Sequence, residues 1–72
     1  MAKRLVKRLG YRVQELRENA GLSRERLAER TGLHANTIGL IERGESNPSF
    51  LVLVALAKGL GITAADLIRP VR

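Results

Sequence analysis

The side chains of this chain that could do chemistry are mostly cations. Thirteen Lys and Arg stand against seven Asp and Glu, with one His and no Cys, for a formal net charge of +6. A single histidine, scattered acids and no glycine-rich phosphate loop leave no nucleophile–base pair, so an enzyme is poorly supported. Without cysteine there is no disulfide framework, thiolate metal site or redox chemistry, and the residues imply no metal or cofactor. The lack of cysteine fits a cytosolic protein. The chemistry that remains is hydrogen bonding and charge attraction toward a polyanion. Residues 22–44, LSRERLAERTGLHANTIGLIERG, read as two short helices around a glycine turn, the layout of a helix-turn-helix, whose second helix enters the DNA major groove. At about 100° per residue, Ile38 and Ile41 centre the buried face of that second helix. The opposite direction falls on Asn36 and Arg43, with Gly39 and Leu40 on either side.

The elements that must position these groups follow from caps and periodicity. The first helix spans about Lys3 to Asn19, with Leu5, Leu9, Val13 and Leu16 as one apolar stripe; it tolerates Gly10 and stops at Ala20-Gly21. Ser23 caps a second helix, about Arg24 to Thr31, with Leu27 and Ala28 facing inward and Gly32 providing the exit through positive φ. The third runs from Ala35 to Arg43 and Gly44 ends it. The segment Glu45-Ser46-Asn47-Pro48 is a loop, and Ser49 caps a fourth helix, about Phe50 to Leu60. Thr63 caps a short fifth helix, residues 64–69, with Asp66 as a weaker capping-box partner and Pro70 closing it. Leu51-Val52-Leu53-Val54 would suit a buried strand on residue type alone, but no second strand candidate exists to pair with it. Residues 1–72 contain no linker, repeat or low-complexity stretch, so the expectation is a single all-α domain at the small end of what folds without staples.

The pieces Leu16-Arg17, Gly21-Leu22-Ser23, Leu27-Ala28-Glu29, Gly32-Leu33, Thr37-Ile38, Ile41-Glu42-Arg43-Gly44, Pro48-Ser49, Leu56-Ala57, Leu60-Gly61-Ile62 and Asp66-Leu67 occur in order at compatible spacing. In these the chain resembles the Cro/CI-like (Xre) helix-turn-helix regulators, from about Val13 to Ile68. The resemblance implies a compact five-helix, phage-repressor-like DNA-binding fold. It implies base contacts at Ala35, Asn36, Gly39 and Leu40, among which Asn36 is the best candidate for direct readout. A carboxamide pairs bidentately with adenine N6 and N7. Ala35 and Leu40 have no hydrogen-bonding side chain and could meet only apolar features such as a thymine methyl. So few polar groups point to a share of specificity from DNA shape.

Phosphate contacts are expected from the edges. The position after the capping Ser, usually Gln in the family, is Arg24, which gives a stronger phosphate contact but loses an amide that can brace the third helix. Thr37 matches a hydroxyl position that binds phosphate, Ser23 and the free N–H groups beside it offer a further anion site, and Arg43 lies near the far end of the recognition helix. Arg26 and Arg30 read as a solvated face shared with Glu25 and Glu29. His34 stands where the family has Ser or Thr as N-cap and carries no chemistry. Arg17 and Glu42 match a family pair that forms an internal salt bridge.

Two features remain. Lys3, Arg4, Lys7, Arg8, Arg12 and Arg17 place six cations in the first seventeen residues. That segment lacks the apolar core of a signal peptide and is read as a helix with its basic flank near phosphate or solvent rather than as a membrane anchor. The fourth helix is apolar all round. Phe50, Leu53, Leu56, Ala57 and Leu60 form an inward stripe, leaving Leu51, Val52, Val54 and Ala55 for a partner chain. The family often dimerises there, aligning two recognition helices with successive major grooves. The functions to weigh are therefore a homodimeric transcriptional regulator on double-stranded DNA, a controller protein or antitoxin of the same fold, and a protein-interaction module that has lost DNA binding. The residues name no small-molecule effector.

Overall fold

Local chemistry sets each helix boundary in the computed structural model, which describes residues 2–69. Five helices follow in order: α1 (Ala2–Asn19), α2 (Arg24–Thr31), α3 (Ala35–Glu42), α4 (Phe50–Leu60) and α5 (Ala64–Ile68). Among the described residues there is no strand, and residues 51–54 are helical. The Ser23 hydroxyl accepts from Arg26 N–H at 3.0 Å, that of Ser49 from Val52 at 3.3 Å, and that of Thr63 from Asp66 at 3.0 Å. Each satisfies one orphan donor of a helix start. His34 stands at the N-cap of α3 without a side-chain cap hydrogen bond. Helices α3 and α5 each end one residue earlier than the sequence pattern suggests, with Arg43 and Arg69 as C-caps. Pro70, expected to close α5, lies outside the described residues.

Packing joins α1 to α3, α2 to α3 and α4, and α4 to α5. Leu9, Val13, Leu27, Ile38, Ile41, Leu56, Ala57 and Leu67 form the buried core. A fully buried Leu or Ile contributes about 1.5–3 kcal/mol, so these few side chains carry most of the fold.

Two glycines set how closely the helices approach. Gly10 is not merely tolerated in α1: a Cβ there would meet backbone carbonyls of α3, that of Glu42 at 2.6 Å. A Cβ at Gly59 would lie 2.5 Å from Thr31 Cγ2 and 3.1 Å from Leu27 Cδ1, so Gly59 admits α2 against α4. The inward face of α4 keeps Leu53, Leu56, Ala57 and Leu60 of the expected stripe and extends to Val52 and Gly59. Val52 packs against the core, and Phe50, expected inside, is 71% exposed at the first helical position. Leu5 likewise falls at the margin of the α1 stripe, exposed beyond the edge of the core.

Candidate nucleic-acid interface

The outer face of α3 is held in place from beneath by the core. Ile38 and Ile41 are buried, which fixes the helix rotation and leaves Asn36 exposed, with Ala35, Thr37 and Leu40 half-buried around it. Gly39 departs from expectation. It is buried, because guanidinium groups lie over it: a Cβ there would be 3.1 Å from Arg43 Nη1 and 3.8 Å from Arg24 Nη1. The two guanidinium groups thus cover the middle of the helix. The missing side chain makes the room they occupy.

Beneath this face sits a charge network. The Glu42 side chain is fully buried and its carboxylate accepts from Arg17 Nε at 2.6 Å, Arg17 Nη2 at 3.1 Å and Arg24 Nε at 2.9 Å. Arg17 Nη1 also donates to the Leu22 carbonyl at 2.8 Å, so one guanidinium ties α1, the start of the helix-turn-helix and α3 together. The hydrogen bond to Glu42 raises the Arg17 pKa above its ordinary value, against the opposing effect of burial. Breaking a buried pair by removing one partner costs roughly 3–5 kcal/mol.

Arg24 corrects a second expectation. Its Nε reaches Glu42, so it braces α3 through charge where an amide would have used a neutral hydrogen bond. Its terminal nitrogens stay at the α3 surface, and its side chain is 37% exposed. Arg43 pairs with Glu45 at 3.4 Å and lies half-exposed beside the α3–α4 loop. Ser23, committed through its hydroxyl to capping α2, is exposed at the head of that helix. Arg26 pairs with Glu29 on the solvated face, where Arg30 is exposed as well but also reaches α4. Its Nη1 donates to the Gly59 carbonyl at 3.0 Å, across the α2–α4 contact.

On α4, Leu51 is 77% exposed beside Phe50, whereas Val54 and Ala55 are half-buried. Val52, expected on the outer face, packs against the core beside Leu56, one turn along the same face of α4. Among the described residues no helix is long and apolar enough to cross a membrane.

Comparison with known proteins follows the same outline. A sequence profile of the family described as helix-turn-helix matches residues 13–67. The transcriptional regulator SutR of Escherichia coli is 38% identical over 66 residues, covering 92% of this chain but only 37% of SutR. The control protein C.SmaI of Serratia marcescens is 40% identical over 60 residues, covering 83% of this chain and 71% of C.SmaI. The crystal structure of the restriction-modification controller protein C.AhdI from Aeromonas hydrophila superposes with a TM-score of 0.82 at 43% identity, covering 88% of this chain and 94% of C.AhdI.

Proposed function

The chain belongs to the helix-turn-helix family, and from that premise we propose that it is a sequence-specific DNA-binding transcriptional regulator acting as a homodimer on an inverted-repeat operator. One observation carries the reading. The only acid within α3, Glu42, is buried and neutralised by two arginines, so the exposed face presents Asn36 with Arg24 and Arg43 over Gly39. A buried carboxylate paired in this way does not repel phosphate. Asn36 supplies the direct base contact, and Ala35 and Leu40 supply apolar contact with a thymine methyl. Thr37, Ser23, Arg24 and Arg43 hold the backbone and fix the register without reading sequence.

The dimer reading rests on Phe50 and Leu51, two large apolar side chains exposed side by side at the start of α4. Two copies joined there would place their α3 helices in major grooves about one helical turn, roughly 34–36 Å, apart. A narrower reading, a controller of restriction-modification genes, draws support from C.AhdI and C.SmaI, both at 40% identity or above. A mobility shift across a salt series tests the main reading. A specific complex with one duplex, weakening steeply with salt while a scrambled duplex of equal length competes poorly, is expected. Equal binding to both would reduce the protein to a non-specific polycation.

A further inference from the structure

The first two turns of α1 carry two lysines, Lys3 and Lys7, that the fold does not pair. Lys3, Arg4, Lys7, Arg8 and Arg12 all precede the first acid of the chain, Glu15. Cations are disfavoured at a helix N-terminus, where the backbone presents its positive end, and α1 has no acid in its first turn. Arg12 is engaged internally, donating to the Asp66 carbonyl at 3.4 Å and pairing with Glu15 at 3.6 Å. Lys3 and Lys7 are exposed and enter no ion pair with a described residue.

Their placement relative to α3 is specific. At about 100° per residue, Lys3 and Lys7 share the side of α1 that borders Gly10, the point of contact with α3, whereas Arg4 turns away from it. Lys7 lies on the C-terminal end of α3, its Cγ 2.6 Å and its Cα 3.1 Å from where a Cβ on Gly44 would stand. Lys7 and Arg43 line one groove with Tyr11, Gln14, Glu42 and Glu45. Its two acids are accounted for: Glu42 is buried under arginines and Glu45 is held by Arg43. The basic surface is thus continuous, from Arg24 and Arg43 over Gly39, to Lys7 over Gly44, to Lys3 one helical turn beyond.

We infer that Lys3 and Lys7 form a phosphate clamp that grips the DNA backbone outside the base pairs read by α3. The inference rests on the DNA-binding reading above and extends its footprint. Eight residues make α3 about 12 Å long, close to the width of the major groove, so its C-terminal end comes up against the bordering phosphate strand. Lysine suits that task, because a compact ammonium binds phosphate as a point charge without reading bases.

Fluorescence anisotropy tests this with two duplexes carrying the site recovered by selection from random DNA, one ending flush with the half-sites and one extended. The extension is about half a helical turn, roughly five base pairs, on each side. The Lys3→Gln/Lys7→Gln protein should show on the extended duplex a salt slope shallower by about 0.9 for each lost contact. That is about a 3.5-fold smaller loss of affinity per contact between 50 and 200 mM salt. On the flush duplex it should match the unaltered protein, and its base preference should be unchanged on both. Lys58→Gln, which removes a charge from α4, should leave both slopes unaltered, and circular dichroism should report every variant folded. If the double variant keeps the full slope on the extended duplex while the unaltered protein binds specifically, the clamp is refuted and the DNA-binding reading stands. Failure of the unaltered protein to bind either duplex would overturn both.

Discussion

Replacing Arg17 by Met should cost this domain a large fraction of its stability, and a second substitution should restore most of it. Arg17→Met deletes two donors to the buried Glu42 carboxylate, at 2.6 and 3.1 Å, and the donor to the Leu22 carbonyl at 2.8 Å. Glu42 then keeps only Arg24, whose side chain is 37% exposed and screened by solvent. An uncompensated buried charge costs roughly 3–5 kcal/mol, and the remaining Arg24 contact places the loss toward the lower figure. Seventy-two residues support roughly 4–11 kcal/mol in total, so the variant should sit near its unfolding threshold. Arg24→Gln removes only the more exposed partner and should cost about 1 kcal/mol or less. In Arg17→Met/Glu42→Met the buried charge is gone, and stability should return to within about 1 kcal/mol of the unaltered protein. Urea titration followed by far-UV circular dichroism measures all three, with the Arg17→Met midpoint lower by about 1–3 M. The reasoning fails if Arg17→Met unfolds at the unaltered midpoint, or if the double variant is no more stable than the single one. The raised Arg17 pKa adds a sign: its stabilisation is complete below the ordinary arginine value and is lost only as pH climbs through the higher folded value.

Asn36→Ala should lose about 1–3 kcal/mol of discrimination at one base pair with non-specific binding nearly intact, and a competition assay showing an unchanged site preference would exclude the base contact. Leu51→Glu should give a folded monomer with steeply weakened operator binding, since Leu51 is 77% exposed in the single chain and a carboxylate there is harmful only against a second copy; sedimentation of a folded dimer would move the interface elsewhere. The Thr63 hydroxyl and N–H, followed by Arg69, hold the Asp66 carboxyl below the usual carboxylate range, so its contribution is present at neutral pH and is lost as pH falls below about 4. Asp66→Asn should therefore flatten the acid limb of thermal stability, and parallel limbs in the two proteins would remove Asp66 from the account.

The helices were legible in the sequence because each carries its own punctuation. Ser23, Ser49 and Thr63 cap, and Ile38 and Ile41 mark the hidden face of α3 by spacing alone. What periodicity cannot show is how closely two helices approach. Gly10 and Gly59 were the available signals, since a glycine inside a helix often marks a close backbone contact. Periodicity alone places Phe50 inside α4 and Val52 outside it, the reverse of what the packed helices do. The site was legible in the same uneven way. Asn36 follows from rotation about one helix, whereas the burial of Gly39 under Arg24 and Arg43, and the Arg24–Glu42 bond, depend on long side chains meeting between helices. Only the resemblance to related regulators pairs Arg17 with Glu42; no spacing in the sequence does.

Selection of bound duplexes from random DNA, followed by sequencing, addresses the central claim most directly. Recognition by two α3 helices predicts enrichment of an inverted repeat whose half-site centres lie about 10–10.5 base pairs apart. Enriched pools in which no sequence stands above the input would contradict sequence-specific recognition by this face.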